Sequence, residues 1–155
     1  MSPFHKILAP VDFSAHSDEA LRVACAMAET FSAPLTLVNV FSPPIYPLPE
    51  GAFVAMPAAY AEVLAATNKR LEEAAAALKR EHETIAIDTR TLEGVPFREI
   101  VGFARKHAFD LIVMGTHGRT GLKHALLGSV AEKVVRKAPC AVLTVRLAGH
   151  VFEHP

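Results

Sequence analysis

The chain has 155 residues, in which 16 Lys and Arg balance 16 Asp and Glu, and 51% of the sequence is hydrophobic. A chain of this length and composition can bury a sizeable core as one domain. The balanced charge provides no overall field that would attract nucleic acid or an anionic membrane. No apolar stretch approaches the length of a membrane span, and Met1–Pro10 lacks the pattern of a secretory signal. We therefore expect one cytoplasmic domain over residues 1–155 that binds neither nucleic acid nor membranes.

The first part of the chain predicts a strand, a helix and a second strand. The short apolar run Ile7–Val11 is typical of a buried strand, and Ser14 can cap the helix that follows. Pro34 ends that helix, because its ring cannot continue a helical backbone. Leu35–Phe41, rich in β-branched and large apolar residues, predicts the next strand.

A proline-rich segment, Ser42–Pro57, then interrupts the alternation. It predicts a long irregular loop, and loops of this length in a compact domain are usually functional or disordered. An amphipathic helix is expected from about Ala58 to His82.

The second half of the chain repeats the strand–helix pattern. Ile85–Leu92 alternates apolar and polar residues, which predicts a strand near one edge of a sheet. Gly94 and Pro96 open a third helix. The remaining elements are a buried strand at Leu111–Met114, a helix from Ser129 and a last strand at Ala141–Val145.

Strands that alternate with helices indicate an α/β protein with one parallel, doubly wound sheet and helices on both faces. Ligands of such sheets bind at the carboxyl ends of the strands, where the strand order reverses. With the order 3-2-1-4-5, that place lies between the first and fourth strands. Asp12 and Gly115, which follow or end those strands, would then meet in one cleft. Asp12 could accept hydrogen bonds from ribose hydroxyls or add a cap to the first helix.

Four of the eight glycines lie in the stretch GTHGRTGLKHALLGS, between the fourth strand and the fourth helix. Glycines let the backbone approach a ligand closely, and helix N-termini attract anions, so this order of elements can form a phosphate cradle. Neither the Walker pattern nor the dinucleotide pattern GxGxxG occurs there. Alternatively, Ser129 and Glu132 form a simple capping box, and the glycines only turn the chain. The loop alone leaves both interpretations open.

The spacing Gly115-x2-Gly118-x9-Gly128-Ser129 resembles the ATP-binding pattern of the universal stress protein family, G-x2-G-x9-G-[ST]. The segments HKILAPVDFS, FDLIVMGTHGRTG and LLGSVAEKVVRKAPCAVLTVR are also similar to that family, so the resemblance covers His5 to Arg146. Ser42–Ala59 matches no fixed pattern, as in the family's variable segment.

The resemblance implies a five-stranded sheet of order 3-2-1-4-5 with four helices and an adenine nucleotide at its carboxyl edge. The nucleotide would be ATP, or ADP or AMP, and Mg²⁺ would accompany it. The implied contacts are Pro10, Val11 and Asp12 near adenine and ribose, Val40 at the adenine edge, Met114 and Gly115 beside the ribose, and Gly118, Gly128, Ser129 and Val130 at the phosphates.

Other cations in the loop leave their roles open. His117 and Arg119 either neutralise phosphate charge or belong to a solvated loop, and we favour the solvated interpretation for Lys123 and His124. No residue plainly supplies the positioned water that ATP hydrolysis requires. The resemblance implies slow or absent hydrolysis in many members.

The resemblance further implies a homodimer joined through Ala141–Val145, unless the tail Leu147–Pro155 covers that edge. We therefore expect an ATP-binding regulatory protein of the stress response, with unknown protein partners. The alternatives are an interaction module independent of nucleotide, and a weak ATPase or phosphotransferase on the same fold. Cys25 and Cys140 are expected to be small core hydrophobes.

Overall fold

The computed structural model of the protein describes residues 2–42, 46–47, 53–54, 57–118 and 127–147. Strands and helices alternate along this part of the chain. The strands are β1 (Ile7–Pro10), β2 (Leu35–Phe41), β3 (Ile87–Glu93), β4 (Leu111–Gly115) and β5 (Ala141–Val145). The helices are α1 (Ala15–Phe31), α2 (Pro57–Glu81), α3 (Pro96–Lys106) and α4 (Ser129–Lys137).

The five strands form one sheet in the order β3-β2-β1-β4-β5, and every neighbouring pair is parallel. Ile7 is in register with Leu35 on one side and Leu111 on the other, so the three inner strands start together. The predicted α/β fold and its strand order 3-2-1-4-5 are therefore confirmed, and β3 lies at an edge as predicted.

Alternate residues of the inner strands point to opposite faces of the sheet, and each face carries its own core. One core joins β1, β2, β3 and β4 to α1 and α2, with Leu21 and Leu71 as examples. The other joins the opposite faces of β1, β2 and β4 to α3 and α4, through Ile100 and Val134. Both faces are covered, which is why β1, β2 and β4 consist mainly of apolar residues.

The chain leaves β1 and enters α1 through a well-formed cap. Ser14 has extended backbone torsions, and its hydroxyl accepts a hydrogen bond from the Ser17 amide at 3.2 Å. This confirms the predicted N-cap. At the other end of α1, Ser32 adopts a left-handed conformation with φ of 51°, and Pro34 lies beyond the helix as predicted.

Several predicted boundaries were wrong by one or two residues. Sheet pairing sets the observed limits: Ile87 is the first residue of β3 because it pairs with Leu35, and β4 reaches Gly115 because Gly115 pairs with Val145. The first strand ends at Pro10 rather than Val11. Helix α2 runs from Pro57 to Glu81 rather than from Ala58 to His82.

The proline-rich segment is not wholly irregular, which corrects the predicted loop. Tyr46–Pro47 and Phe53–Val54 form a short antiparallel ladder inside it. The rest of this segment, like residues 119–126 and 148–155, lies outside the described residues. No helix in the described ranges is long and apolar enough to cross a membrane.

The two cysteines differ in their surroundings. Cys25 is fully buried on α1, and this burial raises the pKa of its thiol to about 11, with Glu29 and Glu81 adding to the effect. Cys140 is half-buried, and burial raises the pKa of its thiol as well. The core interpretation is confirmed for Cys25, and Cys140 packs against the edge of the second core.

Candidate functional site

A cleft of about 600 Å³ opens at the carboxyl ends of β1, β2 and β4. It lies where the strand order reverses, because β2 and β4 flank β1 and their connections lie on opposite faces of the sheet. All but one of the predicted site residues line it: Pro10, Val11, Asp12, Val40, Met114, Gly115, His117, Gly118, Gly128, Ser129 and Val130. Arg119, Lys123 and His124 lie outside the described residues.

The exit of β1 is held in place by the neighbouring strand. The Val11 amide donates to the Val38 carbonyl at 2.8 Å, which continues the sheet pattern one residue past β1. The Asn39 side-chain amide donates to the Val11 carbonyl at 2.7 Å, and Asn39 is only 8% exposed. Backbone and side-chain bonds from β2 thus fix the point from which Asp12 projects into the cleft.

Asp12 uses its two carboxylate oxygens differently. Oδ1 accepts hydrogen bonds from the Ser14 amide at 3.0 Å and from the Ser14 hydroxyl at 2.5 Å. Oδ2 lies next to Gly118, since a Cβ added to Gly118 would be 2.7 Å from it. The two roles considered for Asp12 are therefore compatible: one oxygen supports the start of α1, and the other faces the glycine loop.

Three glycines near the cleft lie where an added side chain would meet a close neighbour, which is backbone at Gly115 and Gly128 and the Asp12 carboxylate at Gly118. A Cβ on Gly115 would lie 2.9 Å from the backbone carbonyl of His16, the second residue of α1. A Cβ on Gly128 would lie 3.1 Å from the Thr116 carbonyl oxygen and 3.3 Å from the His117 Cα. We call Gly115, Gly118 and Gly128 the glycine rim of the cleft. Close approach, rather than turning of the chain, accounts for these glycines.

Helix α4 begins at this rim without a side-chain cap. Gly128 is the N-cap residue, its carbonyl accepts from the Glu132 amide at 2.9 Å, and its own amide donates to the Thr116 carbonyl at 2.6 Å. The expected capping box of Ser129 and Glu132 is therefore wrong. Ser129 is already inside the helix, and the Glu132 carboxylate pairs with Arg136 at 2.9 Å.

The first turn of α4 faces the cleft, because Ser129, Val130 and Ala131 all line it. The first amides of a helix have no carbonyl partner within the helix, and the helix dipole makes this end attractive to anions. A glycine at the N-cap leaves no side chain to compete for these amides. The glycine rim and the start of α4 thus form an end of the cleft that consists mainly of backbone, where the first amides of α4 can bind an anion.

The strand side of the cleft is apolar. Val38 and Met114, both almost fully buried, line it together with Val40. Pro96 and Ile100 at the start of α3 close the same side. We call these five residues the apolar wall. It suits a flat apolar group, and it adjoins the exit of β1 with its Asp12 carboxylate.

Helix α2 covers the cleft from the outside, which the sequence did not predict. Val63 and Thr67, one helical turn apart, line the cleft. The Tyr60 hydroxyl donates to the Glu93 carboxylate at 2.5 Å, and this hydrogen bond raises the pKa of Tyr60. The Tyr60 ring also packs edge-on against Phe41, with 5.4 Å between ring centroids. These contacts fasten the start of α2 to the ends of β2 and β3.

Other lining residues also escaped prediction. Asn39 could have been noticed as an amide side chain within an otherwise mostly apolar strand. Thr116 follows Gly115 directly and is 2% exposed. Nothing in the local pattern marks the rest as site residues: Phe13, Ser17, Val38, Phe41, Ser42, Val63, Thr67, Pro96, Ile100 and Ala131.

Two histidines lie beside the glycine rim. The rings of His16 and His117 are 5.3 Å apart between centroids and tilted by 49°. His117 Nδ1 is 3.1 Å from the Thr116 hydroxyl. No group of three His, Cys, Asp or Glu side chains suited to a metal occurs among the described residues.

The fold and the cleft define a doubly wound α/β protein with its binding cleft at the switch point of the sheet. The sequence profile of the universal stress protein family matches residues 3–146. Universal stress protein MJ0531 of Methanocaldococcus jannaschii is 43% identical over 149 residues, covering 92% of this chain and 82% of that protein. The chain therefore belongs to the universal stress protein family.

Solved structures agree with this assignment. UspA from Lactobacillus plantarum matches with a TM-score of 0.79 and 28% identity, covering 92% of this chain and 98% of that one. A universal stress protein in complex with cAMP matches with a TM-score of 0.69 and covers 92% of this chain and 97% of its own. That second structure is 24% identical, and the likeness shows the fold alone.

Proposed function

We propose that this universal stress protein binds ATP in the cleft and acts as a regulatory protein in the stress response. The observation that carries the proposal is the N-terminus of α4, which has no side-chain cap and lies beside three glycines whose added Cβ atoms would crowd backbone or the Asp12 carboxylate. Backbone amides in that arrangement bind phosphate oxygens without sequence-specific side chains. The family's glycine pattern, which this chain retains, supports ATP as the ligand.

The two ends of the cleft differ in polarity, and this difference supports one orientation of the nucleotide. The apolar wall would receive the base, with the backbone of Val40 at its edge. Asp12 Oδ2, between β1 and Gly118, would accept hydrogen bonds from the ribose hydroxyls. Met114 and Gly115 would lie beside the ribose. The phosphates would then meet Gly118, Gly128, Ser129 and Val130.

Magnesium would enter with the nucleotide. The described residues include no cluster of three acidic, His or Cys side chains that could hold a cation alone. Mg²⁺ in nucleotide sites is commonly held mainly by substrate phosphates and waters. The cation would therefore be bound together with the phosphates.

We propose binding with slow or absent hydrolysis as the mode of action. Hydrolysis requires an oriented water in line with the leaving phosphate. The carboxylate of Asp12 is engaged through Oδ1 at the start of α1 and would face the ribose through Oδ2. Binding would instead change the surface around the glycine rim, and the changed surface would be read by protein partners.

We also propose a homodimer joined through β5. This strand is at the edge of the sheet, with β4 as its neighbour, and its residues from Val142 to Val145 are only half-buried. Exposed edge strands offer unpaired backbone groups to a second chain. A location in the cytoplasm stays a prediction.

Two measurements on the purified protein test nucleotide binding. Mass spectrometry of the ligand released on denaturation is expected to identify an adenine nucleotide. Calorimetric titration of the ligand-stripped protein with ATP and Mg²⁺ is expected to give saturable binding. A folded protein that shows no heat at millimolar ATP would refute the proposal and favour an interaction module that works without nucleotide.

A further inference from the structure

Phe13 has a backbone conformation that a bulky side chain rarely adopts. Its φ is 63°, in the left-handed region. Ser32 and Ala108, the other non-glycine residues with positive φ in the described ranges, lie just after helix ends, where this conformation is common. Phe13 instead lies before a helix, in the wall of the cleft. Strain of this kind persists at functional sites when the surroundings enforce it.

The neighbours of Phe13 enforce the conformation without its side chain. Asp12 Oδ1 accepts from the Ser14 amide and hydroxyl, so a hydrogen-bonded turn spans Phe13. The Ser14 hydroxyl in turn accepts from the Ser17 amide in α1. Glycine would satisfy this turn at lower conformational cost. The turn itself does not require a phenyl ring at this position, so the contacts of the ring must account for it.

The ring has three kinds of contact. It packs against the first core. It forms part of the cleft wall next to Asp12, and the Arg70 guanidinium lies 4.3 Å from its centroid. Arg70 is exposed on α2 and forms no ion pair with another described residue. It lies one turn beyond Thr67, on the helix side that carries Val63 and Thr67 along the cleft. Arg70 itself does not line the cleft.

We propose that Phe13 contacts the nucleoside part of the bound nucleotide, and that Arg70 is a positioning residue that acts through the Phe13 ring. This inference rests on the proposed nucleotide binding. The guanidinium holds the ring by a cation–π contact. The ring then shields the Asp12 carboxylate from water and strengthens its hydrogen bonds to the ribose. Through this pair, the position of α2 affects nucleotide affinity.

A double-mutant cycle tests whether Arg70 affects nucleotide binding through the Phe13 ring. ATP and AMP are titrated by calorimetry into the wild type, Arg70→Gln, Phe13→Gly and the double variant. Arg70→Gln is expected to weaken both nucleotides by the same factor, about two- to fivefold. Phe13→Gly keeps the turn, removes the ring and is expected to weaken both by about tenfold. In the Phe13→Gly background, Arg70→Gln is expected to have no further effect.

Lys69→Gln is the matched control, because it removes the same charge from the adjacent residue, which pairs with Glu73 on the helix surface. It is expected to leave both affinities unchanged. Phe13→Leu serves as a second variant if Phe13→Gly unfolds, since it keeps an apolar side chain against the core while removing the aromatic face.

The outcomes separate the two proposals. If Arg70→Gln weakens ATP but not AMP, or weakens ATP equally with and without the Phe13 ring, Arg70 acts on the phosphates directly and the inference is wrong. Equal effects of Lys69→Gln and Arg70→Gln would also overturn it, because the cause would be net charge. If the wild type binds ATP and these variants do not differ from it, only the inference fails. A wild type that binds neither nucleotide refutes both.

Discussion

The two ends of the cleft are built from different parts of the chain. The apolar wall presents side chains from β2, β4 and α3, whereas the glycine rim and the start of α4 present mainly backbone. A wall of side chains can be replaced by others of similar volume. At Gly115 and Gly128 the rim is packed backbone, which cannot accept a single methyl group without moving. The two ends should therefore differ sharply in their tolerance to substitution.

The largest effect is expected at Gly128. A Cβ there would lie 3.1 Å from the Thr116 carbonyl oxygen and 3.3 Å from the His117 Cα, so Gly128→Ala requires this backbone to shift by a few tenths of an ångström. We expect ATP affinity to fall by about five- to 150-fold, from a typical overpacking cost of about 1–3 kcal/mol. Calorimetric titration measures the loss.

Gly102→Ala is the matched control for Gly128→Ala. Gly102 lies in α3, and a Cβ there would have no neighbour within 4 Å. Alanine is also the better helix former, so this variant should bind ATP as the wild type does and unfold at a slightly higher temperature. Equal affinities for the two variants would show that the rim tolerates a methyl group, which would remove the contrast between the two ends.

Asn39 holds the exit of β1 through the Val11 carbonyl, and its loss should have the next largest effect. Asn39→Ala leaves the Val11 carbonyl without its side-chain donor at a site that is only 8% exposed. We expect the free energy of unfolding to fall by about 1–3 kcal/mol. ATP affinity should fall as well, because Asp12 follows directly from this point.

Urea unfolding followed by circular dichroism measures the change in stability. Thr36→Val is the control, since Thr36 is also buried on β2 but makes no side-chain hydrogen bond to a described residue. It should not reproduce the combined loss of stability and affinity. If Asn39→Ala is as stable as the wild type, the β1 exit is held by the backbone bond from Val11 to Val38 alone.

The sequence predicted the parts of the site that follow from local chemistry. Apolar runs located β2 and β5 to the residue, and the glycine spacing located the rim. It did not predict that α2 lines the cleft, because Val63 and Thr67 reach the cleft only through the docking of that helix. Phe13 was missed for a related reason: its left-handed conformation depends on hydrogen bonds made by its neighbours. The capping box failed because Gly128 takes the N-cap position, which makes Ser129 the first residue of the helix.

The smallest effect is expected in the apolar wall. Met114 is 6% exposed and packs in the second core, with one side on the cleft. Met114→Leu conserves volume and apolar character, so it should cost less than about 1.5 kcal/mol in stability. We expect ATP affinity to change by less than about threefold, because a base would meet the same kind of surface.

Met114→Ala is the variant to compare with Met114→Leu, since it removes most of that surface and should weaken ATP and AMP by equal factors. If Met114→Leu instead weakened ATP as strongly as Gly128→Ala does, the wall would be recognising the base through a specific shape. The two ends would then be equally intolerant, although one is side chain and the other backbone.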